Sequence, residues 1–136
     1  MTHATGTILK GLALATVSVL LLATQPALAD DSAEEIAEAA LHAGYASNGA
    51  EIGDIHTHLQ HVVNCLVGPD GVGFHAGAGN PCDGMGAGAI ADTSDADTRF
   101  ALESALTSAL SGLGSNDIIT AKDAAGRTQE TLEQLM

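Results

Sequence analysis

Half of the chain's six histidines and one of its two cysteines stand within the run Ile55-His56-Thr57-His58-Leu59-Gln60-His61-Val62-Val63-Asn64-Cys65. Nitrogen and sulfur are the donors that borderline transition metals take, and imidazole suits Zn, Cu and Ni. At about 100° per residue, a helix through this run puts Asp54, His58, His61 and Cys65 on one side, at steps of four, three and four. A His-x-x-His pair one turn apart lets both rings converge on one cation, with the Asp54 carboxylate as a ligand or as an outer partner. Asp54, His58 and His61 are therefore the ligands of first choice. His56 lies on the opposite shoulder of the helix and joins them only if the helix starts after it.

This set falls short of a coordination sphere. The missing donor is left to His56, His42, His75, Met85, another acid, water or a second chain. Met85 would favour copper over zinc, because a thioether is a soft ligand. His42 sits off the apolar stripe of its own helix and reads as a solvated or half-buried side chain. The plain alternative to a metal site is a polar helix face that holds no ion. A second cofactor reading is a non-covalent haem between His42 and His58 or His61, although aromatic residues are only 2% of the chain and give it no support. No C-x-x-C-H run is present to attach haem covalently.

The flanking elements export, brace and bury this segment. Lys10 precedes the apolar run 12–23, followed by Pro26 and the small-residue site Ala27-Leu28-Ala29, the pattern of a cleaved secretory signal over residues 1–29. The apolar run is short for a membrane span. Residues 30–136 then form one domain with a periplasmic or secreted address. In that oxidising setting Cys65 and Cys82 read as one disulfide.

The domain reads as all-α. Helices are expected at about 32–47, 50–67, 94–113 and 116–135. The first opens on the capping box Ser32-Ala33-Glu34-Glu35 and carries the stripe Ile36, Ala40 and Ala43. In the second, Ile52, Ile55, Leu59, Val62 and Leu66 mark the buried face, and Gly68-Pro69 stops it. Thr93-Ser94-Asp95 and Ser115-Asn116-Asp117 cap the last two. The third buries Leu102, Leu106, Ala109 and Leu113, with Phe100 and Leu110 widening its face. The fourth follows a heptad seam through Ile118, Ala121, Ala125, Thr128, Leu132 and Leu135. Between the second and third helices, eight of the 24 residues 68–91 are glycine, so periodicity is lost and a long loop is expected, tied down by Cys82. Two helical hairpins joined by that loop make an antiparallel four-helix bundle.

Charge narrows the partners. All 17 acidic residues lie from Asp30 onward, against three of the four Lys and Arg. So acidic a surface repels phosphate backbones and anionic lipid heads, which excludes nucleic acid and, after signal cleavage, membrane. The run Gly84-Met85-Gly86-Ala87-Gly88 lacks the preceding strand and the Gly-Lys-Ser/Thr ending of a phosphate loop. Asp70, Asp83 and Asp92 do not have the spacing of a calcium loop. No motif places a nucleophile beside a base, and the chain reads as a protein that binds without catalysing.

The run His58-x-x-His61-x-x-x-Cys65-Leu66-x-Gly68-Pro69, followed by Gly79-Asn80-Pro81-Cys82-x-Gly84-x-Gly86, resembles a pattern of small exported bacterial proteins of unassigned function. The resemblance covers about Ile55 to Ile90. It implies no activity, only that the end of the second helix and the glycine loop act as one unit. The sequence as a whole describes an exported carrier or buffer for a copper or zinc ion. Its rival is a non-catalytic structural or interaction protein whose glycine loop meets a partner, and a homodimer would let two chains share the site.

Overall fold

The computed structural model describes Met1, His3 and residues 32–136. Apart from Met1 and His3, the expected export signal over 1–29 lies outside the described residues. Those residues form α1 (Ser32–Asn48), α2 (Ile52–Val67), α3 (Ala89–Asp92), α4 (Ala96–Leu113) and α5 (Ile118–Glu133), with a 3-10 turn at Ala76–Ala78. The fold is all-helical, with no strand among the described residues. No helix among them is long and apolar enough to cross a membrane.

Local chemistry sets the helix ends. The α1–α2 turn closes where the Gly49 amide donates to the Ala46 carbonyl at 3.1 Å. Gly68 ends α2 at φ +67°, a left-handed conformation that favours glycine, and its amide returns to the Asn64 carbonyl. Asp95 caps α4 by accepting from the Thr98 amide at 2.7 Å, and Asp117 caps α5 by accepting from the Thr120 amide at 2.8 Å. Those bonds hold both carboxyls below the usual aspartate range.

Helix α1 packs on α2 and α5, and α4 packs on α5 and α2. The core is asymmetric in residue size. Helix α2 supplies Ile55, Leu59, Val62, Val63 and Leu66, while α1 faces it with Ile36, Ala39, Ala40, Ala43 and Ala46. Helices α4 and α5 add Leu102, Ala105, Ala109, Ala121, Ala124, Ala125 and Leu132. Bulky side chains from one helix thus fill the space between alanine-lined walls, which lets the backbones approach closely. Phe100 and Leu110, expected to widen the buried face of α4, are 73% and 46% exposed. Ala105 and Gly112 take the inward positions instead. Leu59 Cδ1 would lie 2.6 Å from a Cβ on Gly112, so the packing there requires a glycine.

The segment expected as a structureless loop over 68–91 contains the 3-10 turn and ends in the four-residue α3. The entry to that short helix is anchored because the two amides just before it find side-chain acceptors. Glu35, buried in α1, accepts from the Gly88 amide at 3.0 Å, and Asp92 accepts from the Ala87 amide at 2.6 Å. A periodicity reading misses an element of one turn whose entry is held by Glu35 on α1 and by its own Asp92. Where the chain crosses itself, a Cβ on Gly68 would stand 1.9 Å from the Ala87 carbonyl oxygen. Cys65 and Cys82 form the expected disulfide, with a Cα–Cα separation of 5.3 Å. A bridge closing a loop of this length constrains the unfolded chain by roughly 3 kcal/mol in the entropy account.

Candidate metal centre

The short α1–α2 turn brings two helical faces together around three imidazoles. His42 comes from α1, and His58 and His61 come from successive turns of α2. Small buried neighbours on α1, Ala39, Ala43 and Ala46, let the His42 ring reach the α2 surface. The ligand atoms of the three histidines all lie within 4.8 Å of one another. His42 Nδ1 stands 3.0 Å from His58 Nδ1 and 3.2 Å from His61 Nδ1. Tetrahedral ligation with metal–nitrogen bonds near 2.05 Å sets its nitrogens about 3.3 Å apart, so these spacings match what one ion needs. The His42 and His61 rings cross at 88° and the His58 and His61 rings at 78°, an edge-to-face arrangement in each pair.

The outward nitrogens decide which edge is free. His61 Nε2 meets the Ala78 carbonyl at 2.7 Å, on the 3-10 turn, and a carbonyl can only accept. His42 Nε2 meets the Glu38 carboxylate at 3.3 Å, one turn earlier on α1. Both neutral rings therefore carry their proton on Nε2 and aim an unprotonated Nδ1 at the cluster. Among three converging Nδ1 atoms, neutral rings then supply one proton at most, from His58. Lone pairs facing lone pairs are unfavourable, and a cation at their centre resolves the conflict. An outer carboxylate and an outer carbonyl that fix the ring tautomer are what metal-binding histidines ordinarily have.

The electrostatics agree. Burial pushes the His42 imidazolium below its ordinary range, His61 and His58 push it further, and Glu38 opposes them. His58 is lowered by burial and then by His61, with Asp54 opposing. His42 and His58 thus resist protonation, which favours the neutral form that binds metal. His58 and Tyr45 also line a surface groove of about 590 Å³, which gives one of the three imidazoles access to solvent.

The residues singled out from the sequence separate here. His58 and His61 meet, and their third partner is His42, which the sequence offered only among several donors for the missing position. Asp54 is exposed and lies outside the three-residue cluster, acting on His58 only through its charge. His56 points the other way, its Nε2 2.8 Å from the Ser115 carbonyl, where it ties the start of α2 to the α4–α5 turn. His75 is exposed, and Met85 packs half-buried against the core. Cys65 is committed to the disulfide. The outer partners Glu38 and Ala78 were missed. A Glu-x-x-x-His spacing was legible for Glu38, whereas nothing in the sequence marks a backbone carbonyl. Comparisons with protein families, with characterised proteins and with solved structures found no match, so the geometry of this chain carries the functional reading.

Proposed function

We propose that this chain is an exported metal-binding protein in which the Nδ1 atoms of His42, His58 and His61 hold one zinc or copper ion. One observation carries the reading: Glu38 and the Ala78 carbonyl occupy the far nitrogens of two rings whose near nitrogens converge within 3.2 Å. All-nitrogen ligation by imidazole suits Zn and Cu alike. Water or a donor from a partner molecule completes the sphere. The four long helices act as an antiparallel bundle whose α1–α2 hairpin holds the ligands and whose glycine-rich segment supplies an outer carbonyl. The rings are partly buried, with His58 opening onto the surface groove, which suits exchange, so the role is to carry or buffer the ion rather than to catalyse. The disulfide fits an oxidising compartment outside the cytosol.

Haem suits this geometry poorly. Two axial imidazoles lie on opposite faces of a wide flat macrocycle with their nitrogens about 4 Å apart, whereas those of His42 and His58 stand 3.0 Å apart. The metal reading is tested by metal analysis of untagged protein from the exported compartment. One zinc or copper per chain is expected. Metal-free protein whose melting temperature ignores both ions would sink it.

A further inference from the structure

Asn64 lies on α2 three residues after His61 and is completely buried. An amide in the middle of Val62-Val63-Asn64-Cys65-Leu66 is costly to bury unless every polar atom is satisfied. Asn64 meets that condition. Its Nδ2 donates to the His75 carbonyl at 3.0 Å and to the Gly79 carbonyl at 2.6 Å. Its Oδ1 accepts from the His75 amide at 2.9 Å and from Gln60 Nε2 at 3.1 Å. The orientation of the amide is unambiguous, because carbonyls only accept and the His75 amide only donates.

These bonds bracket one atom. Residues 75–79 form a turn whose own hydrogen bonds are local, Ala78 to His75 and Gly79 to Ala76, each 3.1 Å. Asn64 grips the turn at both ends, and the carbonyl between the grips, that of Ala78, receives His61 Nε2 at 2.7 Å. On the proposed metal reading we infer that Asn64 is the positioning residue of the site: it fixes the Ala78 carbonyl that selects the metal-competent tautomer of His61. The side chain is dictated by the task. Aspartate has no donors for the two carbonyls, serine has one, and glutamine is a methylene too long for the same register. Without the grip the Ala78 carbonyl is free to move, and His61 can place its proton on Nδ1, where it blocks a ligand.

The test compares wild type with Asn64→Asp and Asn64→Ser, each as the whole exported chain. Zinc dissociation constants come from competition with a chelator, and the protonated ring nitrogen of His61 comes from long-range proton–nitrogen NMR of the metal-free protein. Zinc affinity is expected to fall about tenfold in both variants, the lower end of what a lost outer partner costs. The His61 proton is expected to shift from Nε2 toward Nδ1. A merely structural role would lower the melting temperature and leave both readouts alone. A folded variant with wild-type zinc affinity and an Nε2-protonated His61 therefore overturns the inference. Should neither variant fold, the wild-type spectrum decides. His61 protonated on Nδ1 overturns the inference, and His61 protonated on Nε2, with the Asn64 amide protected from exchange, upholds it. Wild type that ignores zinc would refute the metal reading while the tautomer comparison still judges Asn64.

Discussion

His42 and His58 titrate where a second positive charge is unwelcome, because burial strips water from both rings and His61 stands against each. The sign of the pH effect follows. Both folded values lie below the ordinary histidine value of 6.5, so between the folded and unfolded values the unfolded chain binds more protons. The stability of the metal-free protein is complete above pH 6.5 and falls as the pH drops through that window. Urea midpoints at pH 7.5 and 5.5 should show this loss in wild type and a smaller one in His42→Ala; equal losses would show that the cluster does not titrate as described. Zinc affinity should weaken over the same range, since each ligand must be neutral to bind. At this scale the sequence disclosed His58 and His61, because both sit on one helix and helical spacing is legible. It ranked Asp54 first as their partner and kept His42 among several donors for the missing position. Asp54 shares their stripe, but α1 presents His42 from across the hairpin, and no periodicity within α2 can find a residue on another helix.

At the scale of elements, α2 carries most of the burden. One face fills the core, the next carries two of the three clustered histidines, and Asn64 and Cys65 tie down the segment that follows. The four long helices were legible because their apolar spacing runs through many turns, and two of them, α4 and α5, open on capping aspartates. The short α3 was not, because one turn is too short to show periodicity and Glu35, which accepts from the Gly88 amide just before it, lies on another helix. The crossing of Gly68 and Gly88 was equally hidden, since glycine in a sequence does not say which of its neighbours approaches. That crossing gives a prediction with an internal control. Gly88 has φ +108°, and a Cβ there would stand 2.4 Å from the Gly68 amide nitrogen. Gly88→Ala should cost more than about 2 kcal/mol from backbone strain and clash together. Gly126 lies inside α5 with open space around its missing Cβ, so Gly126→Ala should stabilise the protein by roughly 0.5–1 kcal/mol. Denaturant unfolding of the two variants checks both signs.

The whole molecule has a formal net charge of −13, which opposes its own compaction and draws cations toward it. A loosely attracted cation would be lost in salt, whereas an ion held by three imidazoles is not, because its binding is short-range and geometric. An ion that binds the folded chain stabilises it by mass action, about 2.7 kcal/mol at a hundredfold excess over the dissociation constant. For a domain of this size that is on the order of 10 °C in melting temperature. Substituting one ligand should remove the rise, and the choice of ligand separates the interhelical site from the single-helix stripe. The most direct measurement is a calorimetric zinc titration of wild type, His42→Ala and Asp54→Ala in moderate salt. One zinc per chain is expected in wild type and Asp54→Ala, with affinity lowered at least about 100-fold in His42→Ala. Binding that survives His42→Ala and disappears in Asp54→Ala would contradict the account.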